Sequence, residues 1–176
     1  MSKSSAVEAM IDIETFDTVR TAVTFQVGLV MFDDQDEPVF SHTWNLNVDE
    51  QLKLGRTMSA STIAFHLGIP GNALDSLSGI TVSLSDFTKQ ITDVFDKYKP
   101  SFVWSKGSFD FNILEDIFLQ LSNNARPWMF RQERELRTLM TECKVDKGDV
   151  SHTAIEDCIA QVKQLKQCRA VVGEQL

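Results

Sequence analysis

Three apolar segments in the N-terminal part of the chain have the length and spacing of β-strands. They cover residues 6–14, Thr21–Phe32 and Val39–Leu46, and they are rich in Val, Phe, Leu and Ile. The turn-forming run Asp33–Asp36 separates the second segment from the third. Short apolar runs bounded by turn residues are typical of strands. The pattern therefore predicts a three-stranded antiparallel meander.

The rest of the chain has mostly the periodicity of helices. Helices are predicted, in chain order, over Ser61–Leu67, Asp86–Tyr98, a segment capped by Ser108, Glu133–Glu142 and Ala154–Val171. Ser83 begins a capping box for the second of these helices, and Pro100 follows its end.

One further strand and the last helix complete the predicted fold. A short buried strand is predicted over Phe102–Ser105. In the last helix, Ile155, Ile159 and Val162 form the predicted buried stripe, and Asp157 lies at its margin. This order of strands and helices predicts an α/β fold.

The length and composition of the chain favour one ordered domain. With 43% hydrophobic residues among 176, the chain can bury a sizeable core, so we predict a single domain over residues 1–176. Its longest apolar runs are far too short to span a bilayer, and residues 1–5 lack the apolar core of a secretion signal. The three cysteines show no CxxC spacing, which favours packing roles in a reducing compartment. We expect a cytoplasmic protein without membrane contact.

The net charge of −8 argues against a protein that coats nucleic acid, because phosphate binding needs a basic surface. The charge is uneven, however, since most of the cations lie in the second half of the chain. The stretch from residue 126 onwards holds Arg126, Arg131, Arg134, Arg137, Lys144, Lys147, Lys163, Lys166 and Arg169. A short nucleic-acid end could still bind through metal ions and one basic rim.

Three acidic motifs carry the chemical information. The first is Asp12-Ile13-Glu14-Thr15 at the end of the first predicted strand, the second is Ser108-Phe109-Asp110, and the third is His152 followed by Asp157. Side chains alternate along a strand, so Asp12 and Glu14 lie on one face. A lone Asp-x-Glu pair is more often a solvated edge, so the interpretation depends on the order of all three motifs.

The order and spacing of these motifs resemble the DEDDh class of 3′-to-5′ exonucleases. The resemblance implies a ribonuclease-H-like fold, in which three antiparallel strands and then parallel strands form a mixed sheet flanked by helices. In that layout Asp12, Glu14, Asp110 and Asp157 converge at one point, where they would repel one another. Divalent cations compensate such a cluster, and oxygen ligands suit Mg²⁺ or Mn²⁺.

The resemblance also implies a role for each residue. Asp12, Glu14 and Asp157 would hold one of two cations, and Asp12 would bridge to the second, which Asp110 reaches through water. Two such cations clamp the attacking and leaving oxygens in phosphodiester hydrolysis. His152 would be the general base, because histidine changes charge close to neutral pH. The implied reaction releases nucleoside 5′-monophosphates from the 3′ ends of single-stranded RNA or DNA.

Further stretches resemble the exonuclease A branch of T-even bacteriophages and related small bacterial exoribonucleases. They are residues 107–114, Arg134–Thr138 and 152–158, with Ser61–Ile63 as a looser match. Many DEDDh enzymes have Asn four residues before the second-motif Asp, whereas this chain has Lys106. The phage branch also lacks that Asn, so we expect the difference to affect substrate binding and not activity. Related small enzymes suggest a homodimer.

Candidate substrate contacts each have a structural alternative. Thr15 and Phe16 follow the acidic pair, and the Phe16 ring could stack on a terminal base or pack in the core. Arg134 and Arg137, three residues apart on a predicted helix, could hold phosphates or form a solvated face. His66 is predicted to be structural.

Other functions remain compatible with the sequence. An endonuclease or a nucleotide diphosphatase on the same fold would use the same acids, and product analysis separates them. A catalytically silent nucleic-acid-binding module would be expected to have a broken acid set, whereas here the set is complete. The choice between RNA and DNA depends on a contact to the 2′-OH, which no residue in the sequence identifies.

Overall fold

A five-stranded mixed sheet forms the centre of the computed structural model, which describes residues 6–69, 71, 73–122, 126–148 and 151–174. The strands are β1 (Glu8–Thr15), β2 (Thr24–Phe32), β3 (Pro38–Asn45), β4 (Val103–Ser105) and β5 (Glu133–Glu135). Their order in the sheet is β3-β2-β1-β4-β5. β1, β2 and β3 pair antiparallel, whereas β4 pairs parallel with both β1 and β5. The predicted meander and mixed sheet are confirmed.

Helices surround this sheet. They are α1 (Val48–Lys53), α2 (Ala60–Leu67), α3 (Leu84–Tyr98), α4 (Ser108–Ser122), α5 (Leu136–Cys143) and α6 (Ala154–Glu174), with 3₁₀ segments at Ala73–Ser78 and Phe130–Gln132. Ser83 caps α3 as predicted, because its side chain accepts from the Asp86 amide (3.0 Å). Ser108, expected as a cap, is instead the first residue of α4. Within the described residues, no helix combines the length and apolar character needed to cross a bilayer. Residues 1–5, examined above for a secretion signal, lie outside the described part.

The two faces of the sheet are covered by different helices. Ile11 and Ile13 of β1 pack in one apolar cluster with α3 and α4, whereas Met10 packs in another with α5 and α6. Because side chains alternate along a strand, Asp12 and Glu14 share the face of Met10. Both acids therefore point towards α6.

A close approach at Gly28 sets the start of α6 against this face. Gly28 is the cross-strand partner of Asp12 in the register of β1 and β2. A Cβ atom at Gly28 would lie only 2.5 Å from the carbonyl carbon and oxygen of Ala154. The missing side chain therefore gives the first turn of α6 room to lie directly over the acidic end of β1.

Two local predictions are wrong. The predicted helix Glu133–Glu142 begins as strand β5, because residues 133–135 pair in register with β4, and the helix starts only at Leu136. Tertiary pairing here overrides the helical preference of a charged segment. In α6, Ile159 is 36% exposed, and the buried face is turned towards Asp157, Cys158 and Gln161. Cys158 and Cys168 are buried free thiols, as expected for packing residues.

Candidate active site

Three of the predicted acids meet at the end of β1. Asp12 and Glu14 come from β1, Asp157 comes from the first turn of α6, and one carboxylate oxygen of each lies within 4.8 Å of the others. Asp157 is held by the loop before α6, because its carboxylate accepts from the backbone amides of Ser151 (2.9 Å) and His152 (3.2 Å). The loop and the helix thus fix this side chain before any ligand binds.

Asp110 reaches the same place from the other side of β1. It lies in the first turn of α4, directly after β4. β4 pairs with β1 only at Ala9 and Met10, so the two strands separate towards their carboxyl ends. In this gap Asp110 Oδ1 accepts from the backbone amide of Ile13 (3.3 Å). The carboxylate therefore replaces a missing strand–strand hydrogen bond and stands beside the other acids.

Burial and mutual repulsion disfavour the ionised forms of these acids. The pKa of Asp12 is raised well above its ordinary value, first by burial and then by Asp110 and Glu14. Burial, with repulsion from Asp157 and Asp110, raises the pKa of Glu14 from 4.5 to about 8. Burial also raises the pKa of Asp110 to about 6, although hydrogen bonds to its carboxylate act in the opposite direction. In their ionised forms these acids would carry charge that the surrounding side chains do not fully compensate.

This donor set fits divalent cations. Among the described residues, the side-chain base within 4.0 Å of the four carboxylates is His66, whose Nε2 lies 4.0 Å from Glu14. Burial lowers the pKa of His66, which favours the neutral ring. Its Nε2 forms a hydrogen bond with the Thr15 carbonyl (2.9 Å), so the side chain has a structural role. Clustered carboxylate oxygens are the hard ligands that Mg²⁺ and Mn²⁺ prefer.

His152 stands at the edge of the acid cluster. It lines a cavity of about 210 Å³ together with Asp12 and Asp157. Its backbone has φ +56°, in the left-handed region, where Asn, Asp and His are the non-glycine residues found most often. Its ring packs edge-on against Phe65, with the centroids 5.3 Å apart. His152 thus contacts Phe65 of α2 and lines the cavity of Asp12 and Asp157.

A second cleft opens on the Glu14 side of the cluster. This aromatic cleft has a volume of about 410 Å³ and is lined by Glu14, Thr15, Phe65 and Phe109, among others. The Phe65 and Phe109 rings are 52% and 38% exposed. Phe16 does not reach the cleft, because its ring is 4% exposed and stacks on a core phenylalanine. Of the predicted pair, Thr15 faces the cleft and Phe16 packs in the core.

The two predicted arginines lie on different elements. Arg134 belongs to β5, where its guanidinium stacks over the Phe102 ring at 4.0 Å, and it lines neither the aromatic cleft nor the cavity of His152. Arg137 lies in the first turn of α5 and lines the His152 cavity. The prediction that both lie on one helix is therefore wrong, and of the two only Arg137 is near the acids.

A larger cavity lies away from this chemistry. It measures about 570 Å³ and follows the segment 126–132. Its lining includes one acid, Glu115, which forms an ion pair with Arg126. Because no unpaired acids converge there, the smaller cavities around β1 are the better candidate site.

Comparison with known proteins supports the interpretation of the acidic motifs. The family described as the 3′-5′ exoribonuclease Rv2179c-like domain matches residues 7–169. The chain belongs to this family. No curated protein sequence matches the exoribonuclease domain. At the level of a DEDD-type exonuclease, the resemblance of the motifs is confirmed.

Solved structures similar to this exoribonuclease domain include complexes of Escherichia coli exonuclease I. The zinc-bound complex with single-stranded DNA has a TM-score of 0.72 at 15% identity, covering 95% of this chain and 41% of that chain. The complex with a dT13 oligonucleotide has a TM-score of 0.72 at 13% identity, covering 97% and 42%. The domain thus spans about two fifths of the length of these structures, and the likeness confirms its ribonuclease-H-like fold.

Sequence reasoning missed three residues of the candidate site. Gln161 donates from Nε2 to Asp12 Oδ1 (2.6 Å), and it is 2% exposed. It follows Asp157 by four residues on α6, a spacing that places both on one helix face and could have identified it. Phe109 lies inside the second acidic motif, and Phe65 lies on α2 beside the looser match at Ser61–Ile63.

Proposed function

We propose that this domain is a divalent-metal-dependent 3′-5′ exonuclease that hydrolyses single-stranded nucleic acid, or 3′ overhangs, to nucleoside 5′-monophosphates. The convergence of Asp12, Glu14 and Asp157 within 4.8 Å, with Asp110 beside them, is the observation that carries the proposal. Membership of a 3′-5′ exoribonuclease domain family supports the reaction class. The oligonucleotide complexes of exonuclease I support a single-stranded substrate.

The acids would hold two cations, Mg²⁺ or Mn²⁺. Asp12, Glu14 and Asp157 would bind one of them, and Asp12 with Asp110 would bind the other. When bound, such a pair supplies an activated water and stabilises negative charge on the oxygens of the reacting phosphate. Gln161 would keep the Asp12 carboxylate in place through its hydrogen bond of 2.6 Å.

His152 would act as the general base. Its position in the same cavity as Asp12 and Asp157 would allow it to take a proton from the attacking water. The water oxygen forms a bond to phosphorus while the bond from phosphorus to the 3′-oxygen of the preceding nucleotide breaks. That 3′-oxygen leaves with a proton from solvent, and the terminal nucleotide is released with its 5′-phosphate.

The aromatic cleft would receive the 3′-terminal nucleoside. Exposed aromatic rings bind bases of any sequence by stacking, and each stacked base contributes about 1–3 kcal/mol. Phe65 and Phe109 are the exposed rings beside Glu14, and the edge-on contact of Phe65 with His152 would link base binding to the general base. Thr15 completes this side of the cleft.

The physiological substrate, the assembly and the place of action are further parts of the proposal. The family description favours RNA, whereas the exonuclease I complexes contain DNA, so we propose activity on single-stranded 3′ ends in the cytoplasm with RNA as the first substrate to test. Similarity to the T-even phage branch and a homodimeric assembly stay predictions.

The test is digestion of 5′-end-labelled single-stranded RNA and DNA oligomers of equal sequence with Mg²⁺ or Mn²⁺. The proposal expects stepwise shortening from the 3′ end, release of nucleoside 5′-monophosphates, and complete inhibition by EDTA. Asp157→Asn should be inactive, whereas Glu156→Gln, an exposed neighbour on the same helix, should retain activity.

Other outcomes would replace the proposal with a named alternative. Internal cleavage of a 3′-blocked oligomer would identify an endonuclease. Hydrolysis confined to nucleoside diphosphate derivatives would identify a diphosphatase. Binding without hydrolysis would identify a silent binding module, and full activity in EDTA would refute the metal mechanism.

A further inference from the structure

Three cations converge on the side of the acid cluster away from the aromatic cleft. Lys106, Arg137 and Lys147 line the cavity that contains Asp12 and Asp157. The same three residues also line an adjoining cavity of about 390 Å³, together with Met140, Thr141 and Val145. We call this adjoining cavity the basic pocket. In a chain of net charge −8, such a concentration of positive charge is local and not a general property of the surface.

The fold fixes the backbone of each cation. Lys106 directly follows β4, and Arg137 lies just after β5, so both stand at the carboxyl ends of neighbouring parallel strands. The Arg137 amide donates to the Lys106 carbonyl (3.1 Å), which ties the two residues together. Lys147 is held through its carbonyl, which accepts from Gln164 Nε2 (2.5 Å) on α6. The side chains can move while their attachment points stay in place.

The cations of the basic pocket form no close ion pair with the described carboxylates. Within the described part of the chain, no carboxylate oxygen lies within 4.0 Å of the charged nitrogens of Lys106, Arg137 or Lys147, although other cations of the domain form such pairs. The pKa of Lys106 is lowered, first by burial and then by repulsion from Lys147, although attraction from Asp12 and Asp157 acts in the opposite direction. Cations close enough to repel one another favour a shared anionic partner.

The two cavities differ in the chemistry that they can bind. The aromatic cleft is lined by Glu14 and exposed aromatic residues, whereas the basic pocket is lined by three cations. They share no lining residue, and the acid cluster lies between them, since Glu14 lines one side and Asp12 lines the cavity on the other. A nucleic-acid strand that crosses the acids would place a base in the first and a phosphate in the second.

We propose that Lys106, Arg137 and Lys147 bind the phosphodiester immediately 5′ of the scissile one, while the 3′-terminal nucleoside occupies the aromatic cleft. This inference rests on the proposed exonuclease function and gives the direction in which the strand crosses the site. If the inference is correct, a trinucleotide is the shortest substrate without a 5′-phosphate that can make every proposed contact. A dinucleotide without a 5′-phosphate has only the scissile phosphate.

The inference is tested by removing the charge of one phosphodiester linkage of the substrate at a time. Release of the 3′-terminal nucleotide is measured, under single-turnover conditions with Mn²⁺, from an unmodified tetranucleotide and from two modified ones. One carries a neutral methylphosphonate at the linkage next to the scissile linkage, and the other carries it one linkage further upstream. For the wild-type protein we expect the first modification to lower kcat/KM about tenfold or more, the usual effect of losing a charge-assisted contact, and the second to have little effect.

Protein variants supply the second half of the comparison. In Lys147→Gln and Arg137→Gln, the unmodified substrate should be cleaved more slowly, and the penalty of the adjacent methylphosphonate should shrink because its charged partner is already weakened. Lys163→Gln is the matched control, since Lys163 is exposed on α6 and lines neither cavity. It should keep the full wild-type penalty.

The outcomes separate this inference from the proposed function. If the unmodified tetranucleotide is not cleaved with Mg²⁺ or Mn²⁺, the exonuclease proposal fails, and the strand direction fails with it. If it is cleaved but both modified substrates react at the unmodified rate, the function stands and the basic pocket has no role in holding that phosphate. An equal penalty in wild type, Lys147→Gln and Arg137→Gln would likewise assign the contact to other residues.

Discussion

Replacing Glu14 by Gln should stabilise the metal-free protein at alkaline pH while removing its catalytic activity. Glu14 is 8% exposed, and burial together with repulsion from Asp157 and Asp110 raises its pKa from 4.5 to about 8. The folded state therefore keeps the proton to a higher pH than the unfolded chain does. As the pH rises from 4.5 to about 8, the wild-type protein should lose stability, and above this range the loss should be complete.

The magnitude follows from the same pKa. Each pKa unit corresponds to about 1.4 kcal/mol, so ionised Glu14 costs the folded state at most ~5 kcal/mol once the pH exceeds about 8. Residual solvent contact reduces this figure, and we expect about 2–4 kcal/mol. Near pH 4.5, where Glu14 is still protonated in the folded state, the difference should fall below about 0.5 kcal/mol.

Urea unfolding in EDTA at about pH 4.5, 6.5 and 8.5 measures this prediction. Glu14→Gln should gain stability over the wild type progressively across the series. Glu156→Gln, which changes an exposed acid on α6, should show no such gain. Added Mn²⁺ should reverse the order of stability, because it stabilises the site that retains its carboxylate. A Glu14→Gln protein no more stable than the wild type near pH 8.5 in EDTA would refute the account of the site as an uncompensated acid cluster.

Three further substitutions test single contacts. His152→Asn, which tolerates the left-handed backbone at φ +56°, should keep metal affinity and lose roughly 10²–10⁴-fold in rate, whereas a parallel loss of Mn²⁺ affinity in calorimetry would make His152 a ligand. Gln161→Leu should weaken Mn²⁺ binding about tenfold or more by removing the donor to Asp12, and an unchanged Kd would contradict its positioning role. Gly28→Ala should lower the free energy of unfolding by about 3 kcal/mol, because its Cβ would overlap the backbone of α6, while Gly173→Ala, with open space around it, serves as the control in urea unfolding.

The elements with strong local signals were predictable from the sequence. β1, β2 and β3 follow from apolar runs and the turn at residues 33–36, and α3 follows from its Ser83 cap and apolar spacing. α1 was missed, because a six-residue helix has no room for a repeating apolar stripe. Its signal was the Asn47 cap, which accepts from the Glu50 amide (2.9 Å).

Other features depend on contacts between distant parts of the chain. β5 forms because residues 133–135 pair parallel with the edge of β4, and the local sequence does not indicate that pairing. Ile159 was placed in the core by periodicity, yet α6 is turned so that Asp157 and Gln161 face the acid cluster. As a result, Ile159 is exposed to solvent, whereas Asp157 and Gln161 of the site are buried.

The candidate site was likewise predictable from the sequence only in part. Alternation along β1 was enough to pair Asp12 with Glu14, and motif order was enough to add Asp110 and Asp157 to the set. The aromatic cleft and the basic pocket were not predictable, because their residues come from separate elements and carry no shared spacing. Lys106 and Arg137 become neighbours only when β4 and β5 pair.

The gap between β1 and β4 gives the protein a built-in reporter. The Ile13 amide, which donates to Asp110 Oδ1 (3.3 Å), is a backbone proton whose electronic environment depends on the state of that carboxylate. In the ¹⁵N–¹H correlation spectrum of uniformly ¹⁵N-labelled protein, its resonance should respond both to protonation of Asp110 and to cation binding, without any chemical tag attached near the site. The fold thus allows occupancy of the proposed second cation position to be measured separately from turnover, at an amide that belongs to the sheet.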